Sequence, residues 1–236
     1  MQELVSYRLA DGIATVTMDD GKANVMGLRM LQALNAALDR AQADRATVVL
    51  TGRPGMFSGG FDLAVFTTDP QALFAMLEAG ARLTERVLSF PLPVVAACSG
   101  HAIAMGAFLL LSTDVRIGID DGARIQVNEV QIGLTLPRFA IEVCRQRLTP
   151  AHLTLAAVTA EPYTPAQALG AGFLDEIVPA ESLAAIAAAR PKRLATLHPE
   201  AFAATKLRLR AALLDTLRTA IRDDIADWTA RFGRPA

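Results

Sequence analysis

Apolar and polar positions alternate with two different periods along this chain, and these periods predict its secondary structure. Every second position is apolar on both sides of Asp11-Gly12, which is typical of a β-hairpin over residues 4–9 and 13–18. Leucines that recur every three or four residues predict a helix over residues 28–43. Short apolar runs without this spacing predict further strands at residues 47–50, 94–98, 115–119, 124–127 and 173–178.

The next helix has clear start and stop signals. Asp69 is a good N-cap, Pro70 fits the first helical turn, and Pro91 and Pro93 end the helix after Ser89. Loops are predicted at residues 19–26 and 52–60, and later helices at residues 138–147, 150–158, 164 to Gly170 or Gly172, and from 181 onward with a break at His198-Pro199. Because strands alternate with helices first and helices dominate later, we expect an α/β fold with a core of residues 1–180 and a helical C-terminal region of residues 181–236.

Composition narrows the function classes. The 236 residues are 52% hydrophobic and 20% charged, which predicts a sizeable buried core. A net charge of -1 without a basic block argues against a nucleic-acid partner, and no apolar run approaches the roughly 18 residues of a membrane span. Residues 1–3 lack a signal-peptide pattern, so we expect a cytoplasmic protein. Cys98 and Cys144 lie in apolar surroundings, and neither has the spacing of a metal site, so we expect buried thiols and no metal.

Two stretches rich in small residues carry the candidate chemistry. After the predicted strand 94–98 the chain turns at Gly100, continues through small residues around Gly106, and enters an apolar helical segment at Phe108. A strand followed by a small-residue turn and a buried helix start leaves backbone N–H groups without partners in a cleft. The second stretch, residues 57–63, can supply another N–H group. Two such donors aimed at one point form an oxyanion hole.

These two stretches, and a carboxylate further along, resemble the crotonase (enoyl-CoA hydratase/isomerase) superfamily over almost the whole chain. The resemblance implies a crotonase-like ββα spiral core, a helical C-terminal trimerisation region, and a homotrimer or a dimer of trimers. It also implies an acyl-CoA thioester as substrate, with coenzyme A as part of that substrate and no other cofactor. By the same match, the oxyanion-hole N–H groups belong to Phe61 and Met105, with Gly106 beside the latter. The family usually has glycine where this chain has Met105.

The resemblance also locates the acid–base groups. Hydratases of the family use two carboxylates, and the position of the first is occupied here by Phe108. The second falls on Glu129, within the segment Asn128-Glu129-Val130-Gln131-Ile132-Gly133-Leu134. This segment, and the Phe-Ser-x-Gly-x-Asp-Leu form of residues 57–63, are similar to those of mitochondrial-type Δ3,Δ2-enoyl-CoA isomerases, which work with only the second glutamate.

The chemistry explains why one carboxylate favours an isomerase. Water addition needs a water that is both held and deprotonated, and Phe108 can do neither. A double-bond shift needs one base that removes a proton from C2 and returns it at C4, while the two N–H groups stabilise the thioester enolate. We therefore predict an isomerase with Glu129 as base and acid. An apolar wall at Phe108 would exclude water and raise the pKa of the carboxyl.

Other functions stay open from the sequence. The protein could be a hydratase or another crotonase lyase or hydrolase that recruits a different acid, the candidates being Glu78, Glu85 and Glu142. It could also be a non-catalytic acyl-CoA binder, since both Met105 and Phe108 depart from the family pattern.

The substrate contacts complete the predictions. Residues predicted to bind substrate beside the catalytic groups are Ser58, Gly60, Asp62, Gly106 and Phe108. For Asp62, a hydrogen bond that fixes its own loop is the favoured role. Candidate contacts for the coenzyme A phosphates are Lys22, Arg29 and Lys206, and solvated surface charge is the simpler interpretation of each.

Overall fold

The structure is a computed structural model, and it describes residues 3–233. The strands are β1 (Val5–Ala10), β2 (Ile13–Met18), β3 (Thr47–Thr51), β4 (Gly55–Ser58), β5 (Val94–Cys98), β6 (Gly100–Ile103), β7 (Val115–Ile119), β8 (Ile125–Gln126) and β9 (Glu176–Val178). The α-helices are α1 (Leu28–Ala43), α2 (Pro70–Ser89), α3 (Met105–Ser112), α4 (Arg138–Arg145), α5 (Pro150–Ala157), α6 (Pro165–Ala171), α7 (Leu183–Ala195) and α8 (Pro199–Phe232). Short 3-10 helices cover Leu63–Thr67, Val130–Ile132 and Ala180–Ser182.

The strands form two sheets, which the chain visits in turn. The large sheet has the order β1-β2-β3-β5-β7-β9, with β1 and β2 antiparallel and the remaining pairs parallel. The small sheet has the parallel order β4-β6-β8. From β3 onward each strand therefore belongs to the sheet that the previous strand does not, and the chain winds as a spiral. The predicted α/β class and spiral core describe this arrangement.

Most predicted elements are confirmed, and the hairpin shows why. Asp11 and Gly12 both have positive φ, of 51° and 72°, as the two-residue turn between twisted strands requires. Asp69 caps α2 by accepting hydrogen bonds from Gln71 N–H and Ala72 N–H. Of the two glycines predicted to end α6, Gly172 does so with a φ of 101°.

Two strands of the small sheet, β4 and β6, are where the sequence prediction is wrong, while β8 lies within the predicted strand 124–127. Residues 52–60 were predicted to be a loop, and Gly100 was predicted to begin a turn, but β4 and β6 lie in these stretches. Both strands have only four residues and contain glycine, and Ile103 is their single β-branched residue, so the alternating run that identifies a strand is too short to recognise. Their pairing depends on contact between distant parts of the chain.

The large sheet separates two apolar layers. The side chains facing α1, α2 and α3 form the main core, and those on the other face pack against Leu183 and Ala187 of α7. Because α7 presents small alanine side chains to the sheet, a cavity of about 620 Å³ remains between them. Leu214, Leu217 and Ile221 of α8 belong to the main core. The domain boundary at residue 180 stays a prediction, and residues 234–236 of the predicted C-terminal region lie outside the described residues.

No helix within residues 3–233 combines the length and apolar character needed to cross a membrane. In the same range, no group of three or more His, Cys, Asp or Glu side chains is arranged to hold a metal ion. Cys98 and Cys144 are both buried and unbridged.

Candidate active site

The first wall of the site is the loop that leaves β4, and hydrogen bonds to residues 23–26 fix its shape. Gly59 N–H donates to the Ala23 carbonyl, and Met26 N–H donates to the Gly60 carbonyl, each at 2.7 Å. Gly60 has a φ of 94°, and a Cβ there would lie 2.8 Å from the Ala104 Cβ. Only glycine fits this position without displacing a neighbour.

Asn24 ties this loop to β2, a role that sequence reasoning missed. Its side-chain amide donates to the carbonyls of Met18, Met56 and Phe57 at 3.0 to 3.2 Å. Asn24 is fully buried and has a φ of 51°. The available signal was an asparagine in a short glycine-containing loop, because asparagine tolerates this left-handed conformation better than most residues.

The second wall is the junction between β6 and α3. Ala104 has a φ of 51°, which is rare outside glycine, and its N–H donates to the Gln126 carbonyl at 2.9 Å. This sharp turn begins α3 at Met105, whose N–H is one of the first-turn donors that a helix leaves unpaired. Neither Met105 N–H nor Phe61 N–H donates to an acceptor within residues 3–233.

The two walls are in direct contact, which brings these amides together. Met105 N lies 3.5 Å from the position that a Cβ on Gly60 would occupy, and Phe61 is the residue after Gly60. A Cβ on Gly106 would lie 2.5 Å from the Ser58 carbonyl oxygen, so this glycine permits the close approach.

The side chains of Phe61 and Met105 pack toward α2. A Cβ on Gly80 of α2 would meet the Phe61 ring at 2.6 Å and the Met105 sulfur at 3.4 Å. Met105 is fully buried, and its side chain is not among those that line the adjacent cavity. The thioether therefore occupies space opened by Gly80, and replacing the family's usual glycine by methionine need not narrow the cavity.

Beside the two amides lies a mostly apolar cavity of about 780 Å³, which is within the size range of ligand pockets. Phe61 and Ala104 line it at one end, and Asn128 and Glu129 contribute polar groups. Apolar side chains from the first 3-10 helix, from α2 and from α8 complete the walls, among them Leu63, Phe66, Leu73, Leu77, Trp228 and Phe232.

Glu129 places a buried carboxylate in this cavity. Its residue is only 6% exposed, and the Oε2 atom is buried without a hydrogen-bond donor in the described chain. This burial raises the pKa of Glu129 from 4.5 to about 7, because an apolar site disfavours the charged form. A carboxyl with such a pKa can both take up and release a proton near neutral pH.

Comparison with known proteins identifies the family. Residues 8–232 match the family described as Enoyl-CoA hydratase/isomerase. The chain belongs to this family. A probable enoyl-CoA hydratase of Bacillus subtilis is 31% identical over 142 residues, which are 58% of this chain and 54% of that relative.

Solved structures of the enoyl-CoA hydratase/isomerase family share this fold. A family protein from Pseudomonas syringae has a TM-score of 0.93 and 45% identity, covering 94% of this chain and 97% of its own. An enoyl-CoA isomerase from Mycobacterium tuberculosis has a TM-score of 0.91 and 46% identity, covering 96% and 99% respectively. The predicted crotonase fold is confirmed.

Phe108 was predicted to line the substrate cavity, but it does not. It is fully buried and packs edge-to-face on Phe139, with ring centroids 5.9 Å apart, and Phe139 packs in the same way on Trp228 at 6.4 Å. Of these three rings only Trp228 lines the cavity. Phe108 thus supports the apolar wall from behind, because α3 is buried on all sides.

The other residues predicted to bind substrate shape the loops instead of lining the cavity. The Ser58 hydroxyl donates to the Asn24 carbonyl and accepts from Gly60 N–H. Asp62 accepts from Ala64 N–H, as expected of a residue that fixes its own loop. Gly60 and Gly106 allow the close approaches already described. In the structure as it stands, none of these four lines the cavity.

The end of α8 covers one side of the cavity and is fixed to α4. Asp224 accepts from the N–H groups of Arg138 and Phe139 at 3.0 and 2.9 Å, so it caps the N-terminus of α4. Arg138 also pairs with Asp227 at 2.5 Å. Asp224, Asp227 and Arg138 all line the cavity, and the contribution of the two aspartates from the C-terminal helix is one that sequence reasoning missed.

The sequence prediction for Lys206 is wrong, because this residue is neither a solvated surface charge nor free to contact a coenzyme A phosphate. It is buried, and its Nζ lies 2.8 Å from Asp114 Oδ2. Lys22 and Arg29 are exposed, and their role stays a prediction. The three glutamates considered as substitute acids each pair with an arginine, and none lines the cavity. The pairs are Glu78 with Arg82, Glu85 with Arg218, and Glu142 with Arg145.

Proposed function

We propose that this member of the enoyl-CoA hydratase/isomerase family shifts the double bond of a 3-enoyl-CoA to give the 2-enoyl-CoA. The observation that carries the proposal is Glu129, a buried carboxylate whose Oε2 has no hydrogen-bond partner, in a mostly apolar cavity. Phe61 and Ala104 line the same cavity, and the N–H groups of Phe61 and of Met105, the residue after Ala104, are free of acceptors within residues 3–233. The names of relatives include both hydratases and isomerases, so the choice between these activities rests on the site.

In the proposed reaction, Glu129 transfers the proton and the two amides stabilise the negative charge. The thioester carbonyl oxygen accepts hydrogen bonds from Phe61 N–H and Met105 N–H. The ionised Glu129 removes a proton from C2, and the resulting negative charge moves to the oxygen, where the two amides stabilise it. The protonated Glu129 then delivers the proton to C4, and the double bond moves from C3–C4 to C2–C3.

The surrounding groups favour this reaction over hydration. Phe108 can neither hold nor deprotonate a water. Asp224 and Asp227 line the cavity, but the first caps α4 and the second pairs with Arg138. Among the described residues that line the cavity, Glu129 is therefore the carboxylate without such a bond. A non-catalytic acyl-CoA binder is less well supported, because the Met105 side chain packs toward Gly80 and the N–H groups of Phe61 and Met105 have no acceptor within residues 3–233.

A direct assay tests the proposal. The purified protein is offered a 3-enoyl-CoA and a 2-enoyl-CoA separately, and the conjugated thioester is followed by ultraviolet absorbance. We expect conjugation to form from the 3-enoyl substrate, with loss of the 2-enoyl substrate at least tenfold slower. Faster loss of the 2-enoyl substrate with uptake of water would establish a hydratase instead. Binding of both esters without turnover would establish a non-catalytic acyl-CoA binder.

Gly106→Ala tests the oxyanion hole. The added methyl group would lie 2.5 Å from the Ser58 carbonyl oxygen and must push α3 away from the first loop. Met105 N–H moves with it, and a misplaced donor of this kind costs on the order of 10²-fold in rate. We expect kcat to fall by about this factor while the protein stays folded, as measured by steady-state kinetics and circular dichroism.

Gly170→Ala is the matched control, because a Cβ at Gly170 meets nothing within 4 Å. Its kcat should stay within twofold of the wild type. Equal losses in the two variants would show that the contact of Gly106 with Ser58 does not set the geometry of the hole.

We also expect the homotrimer or dimer of trimers that the family resemblance implies. Light scattering of the purified protein measures it, and a monomer would contradict it.

A further inference from the structure

Asn128 and Glu129 are consecutive residues on one wall of the cavity, and each has a buried oxygen without a donor. Only four buried side-chain polar atoms lack a hydrogen-bond partner within residues 3–233. Two of them, Asn128 Oδ1 and Glu129 Oε2, lie side by side in the sequence and line the same cavity. Both are acceptors, so neither can satisfy the other while Glu129 is ionised.

Backbone hydrogen bonds hold Asn128 and Glu129 in one turn. Its backbone carbonyl accepts from Ile132 N–H at 3.2 Å, and the Glu129 carbonyl accepts from Leu134 N–H at 2.9 Å. The nearby amide of Gln126 is fully occupied, since it donates to Gln131 and to the Ala160 carbonyl. An orphaned acceptor on such a fixed turn is costly unless a donor arrives during function.

The reaction itself supplies such a donor. After Glu129 has taken the proton from C2, its carboxyl group carries an O–H that needs an acceptor in a site of low polarity. We propose that Asn128 is a positioning residue whose amide oxygen accepts the hydrogen bond of protonated Glu129 until the proton is delivered to C4. This inference rests on the proposed function, because it gives Asn128 a part in the proton transfer from C2 to C4.

Other groups near Glu129 do not fill this role. The Cys144 thiol of α4 is fully buried, and the charge of Glu129 raises the pKa of Cys144 further. From α4 and α8, the charged residues that line the cavity are Arg138, Asp224, Asp227 and Arg231. Arg138 donates to both Asp224 and Asp227, so these carboxylates already have partners, and no hydrogen bond joins any of the four residues to the Glu129 side chain.

The test compares Asn128→Leu with Asn128→Asp by the pH dependence of kcat/KM for a 3-enoyl-CoA. Leucine matches asparagine in size but cannot accept a hydrogen bond, so the protonated form of Glu129 loses support. The midpoint of the acid limb should move down by about 0.5 to 1 pH unit, and kcat should fall about tenfold with little change in KM. Aspartate adds a like charge, so the same midpoint should move up by about 1 unit or more.

Gln131→Met is the control, because Gln131 lies in the same turn but outside the cavity lining, and its midpoint should not move. Shifts of the two Asn128 variants in the same direction, or losses of kcat without any shift, would overturn the inference. If the leucine variant does not fold, Asn128→Ala takes its place, since alanine also lacks an acceptor. Its midpoint should move down in the same way, and an unchanged midpoint would overturn the inference.

A second readout separates this inference from the proposed function. The carboxyl stretch of Glu129, in the infrared difference between wild type and Glu129→Gln, reports its protonation without any turnover. A wild type inactive on 3-enoyl-CoA would refute the proposed function, while unshifted infrared titrations in the Asn128 variants would refute only the role of Asn128.

Discussion

Glu129→Gln should lower kcat for the double-bond shift by about 10³-fold or more. Glutamine keeps the shape of the side chain but can neither remove the proton from C2 nor return it to C4. General acid–base catalysis contributes typically 10²–10⁴-fold, and here one residue is responsible for both transfers. The measurement is the steady-state formation of conjugated enoyl thioester across pH 6 to 9, together with the binding of a saturated acyl-CoA.

Binding is the part of this experiment that should not change. The two amides and the apolar walls are untouched in the variant, so the Kd of the saturated acyl-CoA should stay within about threefold. Glu142→Gln is the matched control, since Glu142 pairs with Arg145 outside the cavity lining and should retain wild-type turnover. A Glu129→Gln enzyme with a rate within tenfold of wild type would remove Glu129 from the mechanism.

The same variant should also become more stable than the wild type as the pH rises. Burial raises the pKa of Glu129 from 4.5 to about 7, so the unfolded chain releases its proton at lower pH than the folded protein. Below pH 4.5 the carboxyl is neutral in both states, and stability is lost as the pH rises from about 4.5 to 7. By pH 8 this loss amounts to about 3 kcal/mol, which glutamine avoids. Urea unfolding at pH 5 and pH 8 measures the difference.

The motif residues of the site could be predicted because they lie within short segments whose spacing carries the chemistry. Phe61, Met105 and Glu129 each follow a short strand, and the small residues before the amides show that the backbone must approach closely. The position of the Met105 side chain could not be predicted. The space that it fills is left by Gly80 of α2, which lies in a distant part of the chain.

Contacts between distant elements account for what the sequence missed. Trp228, Asp224 and Asp227 reach the cavity only because α8 packs across α4, and helical spacing alone does not say which neighbour a helix covers. Lys206 shows the same difficulty for charge. A lysine on a predicted surface helix is usually solvated, but this one is buried beside a carboxylate that lies 92 residues earlier.

Asp114→Asn should destabilise the protein by about 3 to 5 kcal/mol, which lowers Tm by roughly 10 °C for a chain of this size. Asp114 follows the end of α3, the helix whose first N–H belongs to the proposed oxyanion hole. It anchors the start of β5, because its carboxylate accepts from Val94 N–H at 2.8 Å. It also pairs with Lys206 at 2.8 Å and Arg210 at 3.0 Å.

The large effect follows from burial, because Lys206 and Arg210 are each no more than 7% exposed. Burial already lowers the pKa of Lys206 to about 8, and Asp114 is the carboxylate that offsets this cost. Thermal unfolding and urea titration measure the loss. Adding Lys206→Met to Asp114→Asn should restore at least a third of it, since one uncompensated charge is removed.

Asp39→Asn is the matched control for this prediction. Asp39 pairs with Arg86 at 2.5 Å but is 73% exposed, so water replaces the lost partner and the cost should stay below about 1 kcal/mol. Equal losses for Asp39→Asn and Asp114→Asn, or no recovery with Lys206→Met, would show that the buried charges are not what Asp114 stabilises. The outcome also bears on catalysis, because loosening the end of α3 should lower kcat even at temperatures where the variant stays folded.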